Sequence, residues 1–169
     1  MADPKYLVRT GEIGRAEAYH GRHPLNPNSD MYMARLSERT GLTRLPVNFL
    51  RVPPGKESFI PHAHSIEEEW VFIVAGEGTV TLDGESTPIG AGDFLGFPPD
   101  GVVHNLTNTH TTDDLIYLTG GERHPVEVAR MPTVGKVAVF KDNGVTFYDE
   151  DTGERVTMAE WFERAKIAE

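Results

Sequence analysis

Between Pro46 and Phe140 the longest apolar run is six residues, Trp70 to Ala75, before a turn signal interrupts it. Pro53-Pro54-Gly55, Gly76, Asp83-Gly84, Gly90, Gly92, Asp100-Gly101 and Gly120-Gly121 supply the interruptions. Glycine reaches positive φ without a Cβ clash and proline presets φ for a turn corner, so the chain reverses easily at each of these places. Between them lie short runs rich in β-branched residues, which read as strands over 47–52, 58–64, 69–75, 78–82, 93–97, 102–107, 114–119, 126–129 and 136–140. Eight or nine strands with turns every ~8–12 residues predict an all-β sandwich or barrel. A run of six also falls far short of the ~20 apolar residues that a membrane helix needs.

The flanks differ from this middle. Residues 1–45 are polar and mixed, and read as an N-terminal arm with one short helix over 29–40, closed by Gly41. The barrel is expected over 46–148, and a C-terminal helix over 149–169. In that last segment Thr157 and Glu160 form a capping box, and Trp161, Phe162, Ala165 and Ile167 follow at a roughly helical period. Such a helix is expected to pack on the outside of the barrel. With 169 residues, one domain with a sizeable core is expected.

Charge and cysteine narrow the function classes. Lys and Arg number 16 against 26 Asp and Glu, a net charge of −10. An acidic surface repels phosphate backbones and anionic lipid, so neither nucleic acid nor membrane is an expected partner. There is no cysteine, which removes disulfides, thiolate metal sites and cysteine nucleophiles together. The start MADPKYLVRTGE contains no apolar core of a secretory signal, and a cytoplasmic location is expected.

The chemistry lies in four residues. His62 and His64 are two apart on an expected strand, so their side chains leave from one face. Glu69 follows at the start of the next strand, and His104 comes after the Pro98-Pro99-Asp100-Gly101 turn. Three imidazoles and one carboxylate converging in a β-barrel would suit one divalent ion, Fe, Mn, Ni, Co or Zn. An HxH pair alone is more often structural than ligating. Alternation along 69–75 puts Glu69, Val71 and Ile73 on one face and Glu68, Trp70 and Phe72 on the other; both faces are apolar, so pattern does not choose between the glutamates.

The segment Gly55-KESFIP-His62-Ala-His64-SIEE-Glu69-WVFIVA-Gly76 resembles the first motif of the cupin family. Gly92-DFLGFP-Pro99-Asp-Gly101-VV-His104-NLT-Asn108 resembles the second, and fifteen residues separate the two. Six residues, where the motif has five, lie between Gly55 and His62 and again between Gly92 and Pro99; both additions fall in turns. The resemblance covers about Val47 to Leu118. Phrases such as PPGKESF, EEEWVFIV, AGDFLGFP and DLIYLTGGE are most similar to small bacterial single-domain cupins, some of them labelled sugar-phosphate isomerases. It implies a jelly-roll barrel with His62, His64, Glu69 and His104 as metal ligands; the motif's glycine count selects Glu69.

With those histidines inward, period two brings Ile60, Val71, Ile73, Val102 and Leu106 in beside them as expected pocket walls. Arg51, at the end of an apolar strand, either reaches the pocket mouth or snorkels to solvent. Asn108 either bonds near the site or serves a strand-end turn, and His20, His23, His110 and His124 read as ordinary loop histidines. The expected function is metal-dependent chemistry on a small oxygen-bearing molecule, of oxygenase, decarboxylase or lyase, or isomerase type. The rivals are a sugar-phosphate isomerase, with Arg35, Arg44, Arg51 and Lys56 as candidate phosphate-binding cations, and a non-catalytic ligand-binding or metal-sensing cupin. The long arm suggests a homodimer in which part of it packs on the partner, the alternative being an arm folded on its own barrel.

Overall fold

The computed structural model describes residues 5–154 and 156–165. Its strands are β1 (Tyr19–Gly21), β2 (Met31–Arg35), β3 (Val47–Val52), β4 (Ala63–His64), β5 (Glu69–Ala75), β6 (Glu77–Leu82) and β7 (Glu85–Gly90). They continue as β8 (Phe94–Phe97), β9 (His104–Thr107), β10 (Leu115–Gly121), β11 (Val126–Met131), β12 (Lys136–Lys141) and β13 (Gly144–Asp149). A six-stranded sheet has the order β1-β2-β3-β10-β5-β8. Two smaller sheets run β13-β12-β11-β4 and β7-β6-β9. His62, just before β4, pairs antiparallel with His104 at the start of β9, so the two smaller sheets continue one another. The result is the expected all-β jelly roll.

Burial of alternate faces holds the layers together. Leu50 and Val52 from β3, Val71 and Ile73 from β5, and Leu115 and Tyr117 from β10 meet Val80, Ile89 and Leu106 from the β7-β6-β9 sheet in one core. A smaller cluster joins Ile60, Met131 and Ala138 under the other small sheet. On β5, Val71 and Ile73 are buried while Phe72 and Val74 remain exposed. The core face is therefore the one that carries Glu69.

Several elements differ from expectation. Only Leu36–Thr40 (α1) of the expected 29–40 helix is helical, ending at Gly41 with φ 80°. Met31–Arg35 is instead β2, paired with β3 from Tyr32↔Arg51 to Arg35↔Asn48. The ladder of β3 gives these residues hydrogen bonds and buries Met31 and Ala34, which outweighs a weak helical preference. β7 lies at a sheet edge and contains Pro88, which has no N–H to give; its polar sequence carried no strand signal. β13 is exposed along its length and follows the two-residue turn Asp142-Asn143, both at positive φ. Of the expected 58–64 strand only Ala63–His64 forms a ladder.

The described part of the arm is stitched to its own barrel. Asn26 and Asn28 donate side-chain bonds of 2.7 and 3.1 Å to the two Glu57 oxygens. At the other end, α2 (Met158–Arg164) has both bonds of its capping box. It does not pack on the barrel: Met158, Trp161 and Phe162 are all exposed. Ile167 lies outside the described residues. Among those described, no helix is long and apolar enough to cross a membrane.

One turn is sterically closed. Gly76 sits at φ 84° between β5 and β6, where a Cβ would collide with the Asp114 carbonyl. Gly84, at φ 89°, has open space around the same position. Gly84→Ala should destabilise by about 1–2 kcal/mol, the left-handed backbone penalty alone. Gly76→Ala should exceed it because backbone must also move, and urea unfolding of both variants reads the difference.

Candidate metal centre

Sheet register brings the candidate ligands together. His62 N–H donates to the His104 carbonyl at 3.1 Å and His104 N–H returns a bond to His62 at 2.8 Å. That pair sets the two imidazoles side by side, with ring centroids 4.6 Å apart. His64 is held opposite Ala129 of β11. Glu69 stands opposite Gly121 of β10 and Phe97 of β8. Its Oε2 lies 3.1 Å from His104 Nε2, 3.3 Å from His64 Nε2 and 3.9 Å from His62 Nε2. One donor atom from each of the four residues falls within 4.8 Å of every other. Metal bonds of ~2.0–2.2 Å put neighbouring donors about 3–4 Å apart, so these residues could hold a single ion.

The surrounding shell orients the donors. His62 Nδ1 meets the Ile60 carbonyl at 2.8 Å and His104 Nδ1 meets that of Val102 at 3.1 Å. A carbonyl accepts only from N–H, which puts a proton on Nδ1 of both rings and leaves each Nε2 either to offer a lone pair to a metal or, protonated, to donate to Glu69. Phe97 stacks flat on the His104 ring, 3.6 Å between centroids. Thr119 Oγ1 donates to Glu69 Oε1 at 2.8 Å, leaving Oε2 to the imidazoles. His64 Nδ1 faces the Glu127 carboxylate at 3.5 Å, too far for a good hydrogen bond, and has no other partner. Glu127 itself accepts N–H bonds from Ser65, Ile66 and Glu67, and so pins the turn between His64 and Glu69.

Burial and charge oppose one another here. Burial drives the His62 imidazole down to about 4, with Glu69 pulling the other way. Burial would raise the Glu69 carboxyl, yet bonds and charge from His104, His64 and His62 hold it well below the carboxylate range. For His64 burial favours the neutral ring, and the carboxylates of Glu69, Glu67 and Glu127 overcome it and raise its pKa. Glu67 is pushed up to about 7, chiefly by burial and against the pull of His64.

The cleft above the donors is lined differently from expectation. Val71, Ile73 and Leu106 face inward but are packed into the core below the site, and Val102 lies against that core. Ile60 is buried with Met131 and Ala138. None of the five lines the cleft. The cleft is walled instead by Phe59, Met131, Phe140, Val145 and Phe147, with Arg123 and His124 at its rim. Arg51 neither reaches this mouth nor snorkels away; it donates to the Ile13 carbonyl at 3.2 Å and lies over the Phe49 ring. Nor do Arg35, Arg44 and Lys56 line this cleft.

The remaining polar candidates have local roles, with two exceptions. Asn108 is fully buried and bonds the carbonyls of Val52 and Asp113, a strand-end duty. His110 accepts from the Asp113 N–H in the same turn, and His20 pairs with Asp30. His23 and His124 are not bystanders, since both border the cleft. Glu127 was legible: it alternates with Ala129 and Met131 on an otherwise apolar strand face, where a carboxylate needs a reason.

A cupin-domain family model matches residues 48–121. The solved structure of a candidate sugar phosphate isomerase from Acidithiobacillus ferrooxidans is 31% identical, covers 90% of this chain and 97% of its own, and superposes with a TM-score of 0.85. The chain belongs to the cupin superfamily. A second cupin-fold structure, a predicted oxalate decarboxylase from Thermotoga maritima, is 28% identical over 70% of this cupin and 99% of its own chain, with a TM-score of 0.57. An oxalate-binding protein of Thermotoga maritima is 38% identical over 64 residues, and the match spans 51% of its length.

Two outcomes test this shell. In Glu127→Gln the amide group replaces one acceptor oxygen and leaves a buried N–H of the 65–67 turn unpaired, so chemical denaturation should show a loss of about 1–3 kcal/mol. His62 titrates lower folded than its ordinary 6.5, so the unfolded chain takes up the proton first as pH falls. The metal-free protein should lose melting temperature from pH 6.5 towards 4, and His62→Gln should flatten that slope.

Proposed function

We propose that this cupin holds one divalent metal ion through His62, His64, Glu69 and His104, and uses it to transform a small molecule bound through its oxygens. The observation that carries this is the convergence of three imidazole Nε2 atoms on one Glu69 oxygen beneath an open cleft. Bound there, a divalent ion supplies Lewis-acid stabilisation of negative charge on a ligand oxygen. The chain's own residues do the rest. Backbone carbonyls 60 and 102 orient two imidazoles, Thr119 orients Glu69, and Phe59 and Phe97 exclude water from the centre. Glu67 places a further carboxyl against His64, 3.9 Å away on the cleft floor, where it can take or give a proton. Isomerase, decarboxylase or lyase, and oxygenase chemistry all begin from a ligand held in this way.

A second reading is a sugar phosphate isomerase. The name of the Acidithiobacillus ferrooxidans relative supports it, and Arg123, with His124 beside it as a further hydrogen-bonding group, is placed to meet a phosphate. Glu122, bonded to His124 at 3.0 Å, weakens that electrostatic attraction. The name of the oxalate-binding protein of Thermotoga maritima supports a third reading, a cupin that binds a small ligand. Turnover of sugar phosphates by the metal-loaded protein, lost in Arg123→Ala with metal content retained, separates the isomerase from either alternative.

Metal analysis of the purified cupin is the first experiment, and about one ion per chain is expected. His104→Ala should lose most of that metal while the apo melting temperature changes little, because the core residues still pack. Glu69→Gln should retain more metal or change its preference, since the amide oxygen fits but brings no charge. Unchanged metal in His104→Ala overturns the assignment.

A homodimer is also part of this reading. Phe72, Val74 and Phe94 project from the outer face of the large sheet, an exposed apolar patch that a second copy would cover. Light scattering at micromolar concentration should give twice the chain mass, and Phe94→Lys should lower it.

A further inference from the structure

The two sides of the cleft are chemically unlike. Phe59, His64, Glu67, Glu69 and Phe140 border both. One side adds Asn48, Thr119, Glu122, Arg123 and His124. The other, a cavity of about 300 Å³, adds Pro24, Met131, Val145 and Phe147, with His23 at its edge.

The apolar side is built by strand register. β12 pairs with β13 so that Phe140 stands opposite Val145 and Ala138 opposite Phe147, which places all four on one face of the hairpin. Ile60 and Met131 cover the Ala138 end. Further out Phe140, Val145 and Phe147 keep 42, 45 and 36% of their surface open. Ala129 and Ala138 carry only methyl groups beneath them, so the shelf has depth. Large apolar side chains left open and contiguous with convergent polar donors form the wall of a ligand site.

We propose that the molecule taken at the four-residue centre carries an apolar substituent, aromatic or branched aliphatic, and that Phe140, Val145 and Phe147 select it. This rests on the metal-centred reading above and names its substrate class. The argument is one of complementarity. A second carboxylate or a phosphate laid on this side would shed water against three hydrophobic side chains and approach Glu67 and Glu69, with no arginine or lysine lining it. A phenyl or isobutyl group laid there removes its own apolar surface and that of the shelf from water together.

Three α-hydroxy carboxylates share one chelating head and differ in the tail: lactate, 3-phenyllactate and 3-phosphoglycerate. Calorimetric titration of each into the full chain loaded with Mn(II) reads the preference directly. 3-Phenyllactate should bind at least about tenfold more tightly than lactate, and more tightly than 3-phosphoglycerate. Phe147→Ser and Val145→Ser, at partly open positions of an outer hairpin, should shrink the preference to about twofold. Arg123→Ala, on the opposite side, should leave the preference intact. Equal binding of lactate and 3-phenyllactate overturns the proposal, as it would if a second copy covered the shelf; so does tightest binding of 3-phosphoglycerate. Failure to retain Mn(II) overturns the metal-centred reading itself, whereas retained Mn(II) without a tail preference overturns the apolar selection alone.

Discussion

The reciprocal backbone bonds between His62 and His104 are the constraint on which the rest of this cupin depends. They join β4 to β9 and so turn two small sheets into one layer opposite the six-stranded sheet. The same two bonds fix a pair of imidazoles on the inward face, because residues directly opposite in an antiparallel pair project to one side. Fold and site therefore share a single joint. Any slip of register there would turn both imidazoles away from Glu69.

Around that joint the centre is balanced by carboxylates. Glu69 is ionised although buried because the imidazoles supply the hydrogen bonds that water would have given it. Glu127 acts from further out: three backbone N–H groups of residues 65–67 converge on it, holding the short turn that separates His64 from Glu69. A turn this short, crossing between the two layers, would otherwise be free to place Glu69 elsewhere. Glu67 remains over as an extra half-buried carboxyl at the cleft. It gives the apolar floor a group whose charge changes near neutrality.

Much of this was legible along the chain. Turn punctuation and alternation located nine of the thirteen strands, because each such strand buries one face and its turn needs Gly, Pro or Asp. The strands that escaped lacked a one-sided apolar pattern that reads as a strand. β2 carries Met31, Met33 and Ala34, residues at home in a helix, and becomes a strand only because β3 offers it a ladder. β7 and β13 lie at sheet edges, where polar and exposed residues leave no burial pattern. The C-terminal capping box was correct about where a helix begins and silent about where it docks; a cap is local, and packing is not.

Period two along the sequence determined that His62 and His64 leave from one face, and the likeness to the two cupin motifs added Glu69 and His104 to them. Tertiary structure alone decided what surrounds them. Ile60, Val71, Ile73 and Leu106 share the inward face and yet are consumed by core packing, because a small barrel fills its own interior. The walls that a ligand would meet come from β11, β12 and β13, between 25 and 43 residues after His104, together with Phe59. No local pattern marks a residue as a wall when what it faces lies on another strand. Which glutamate enters the centre, and which aromatic side chains stand over it, follow from how the sheets close on one another.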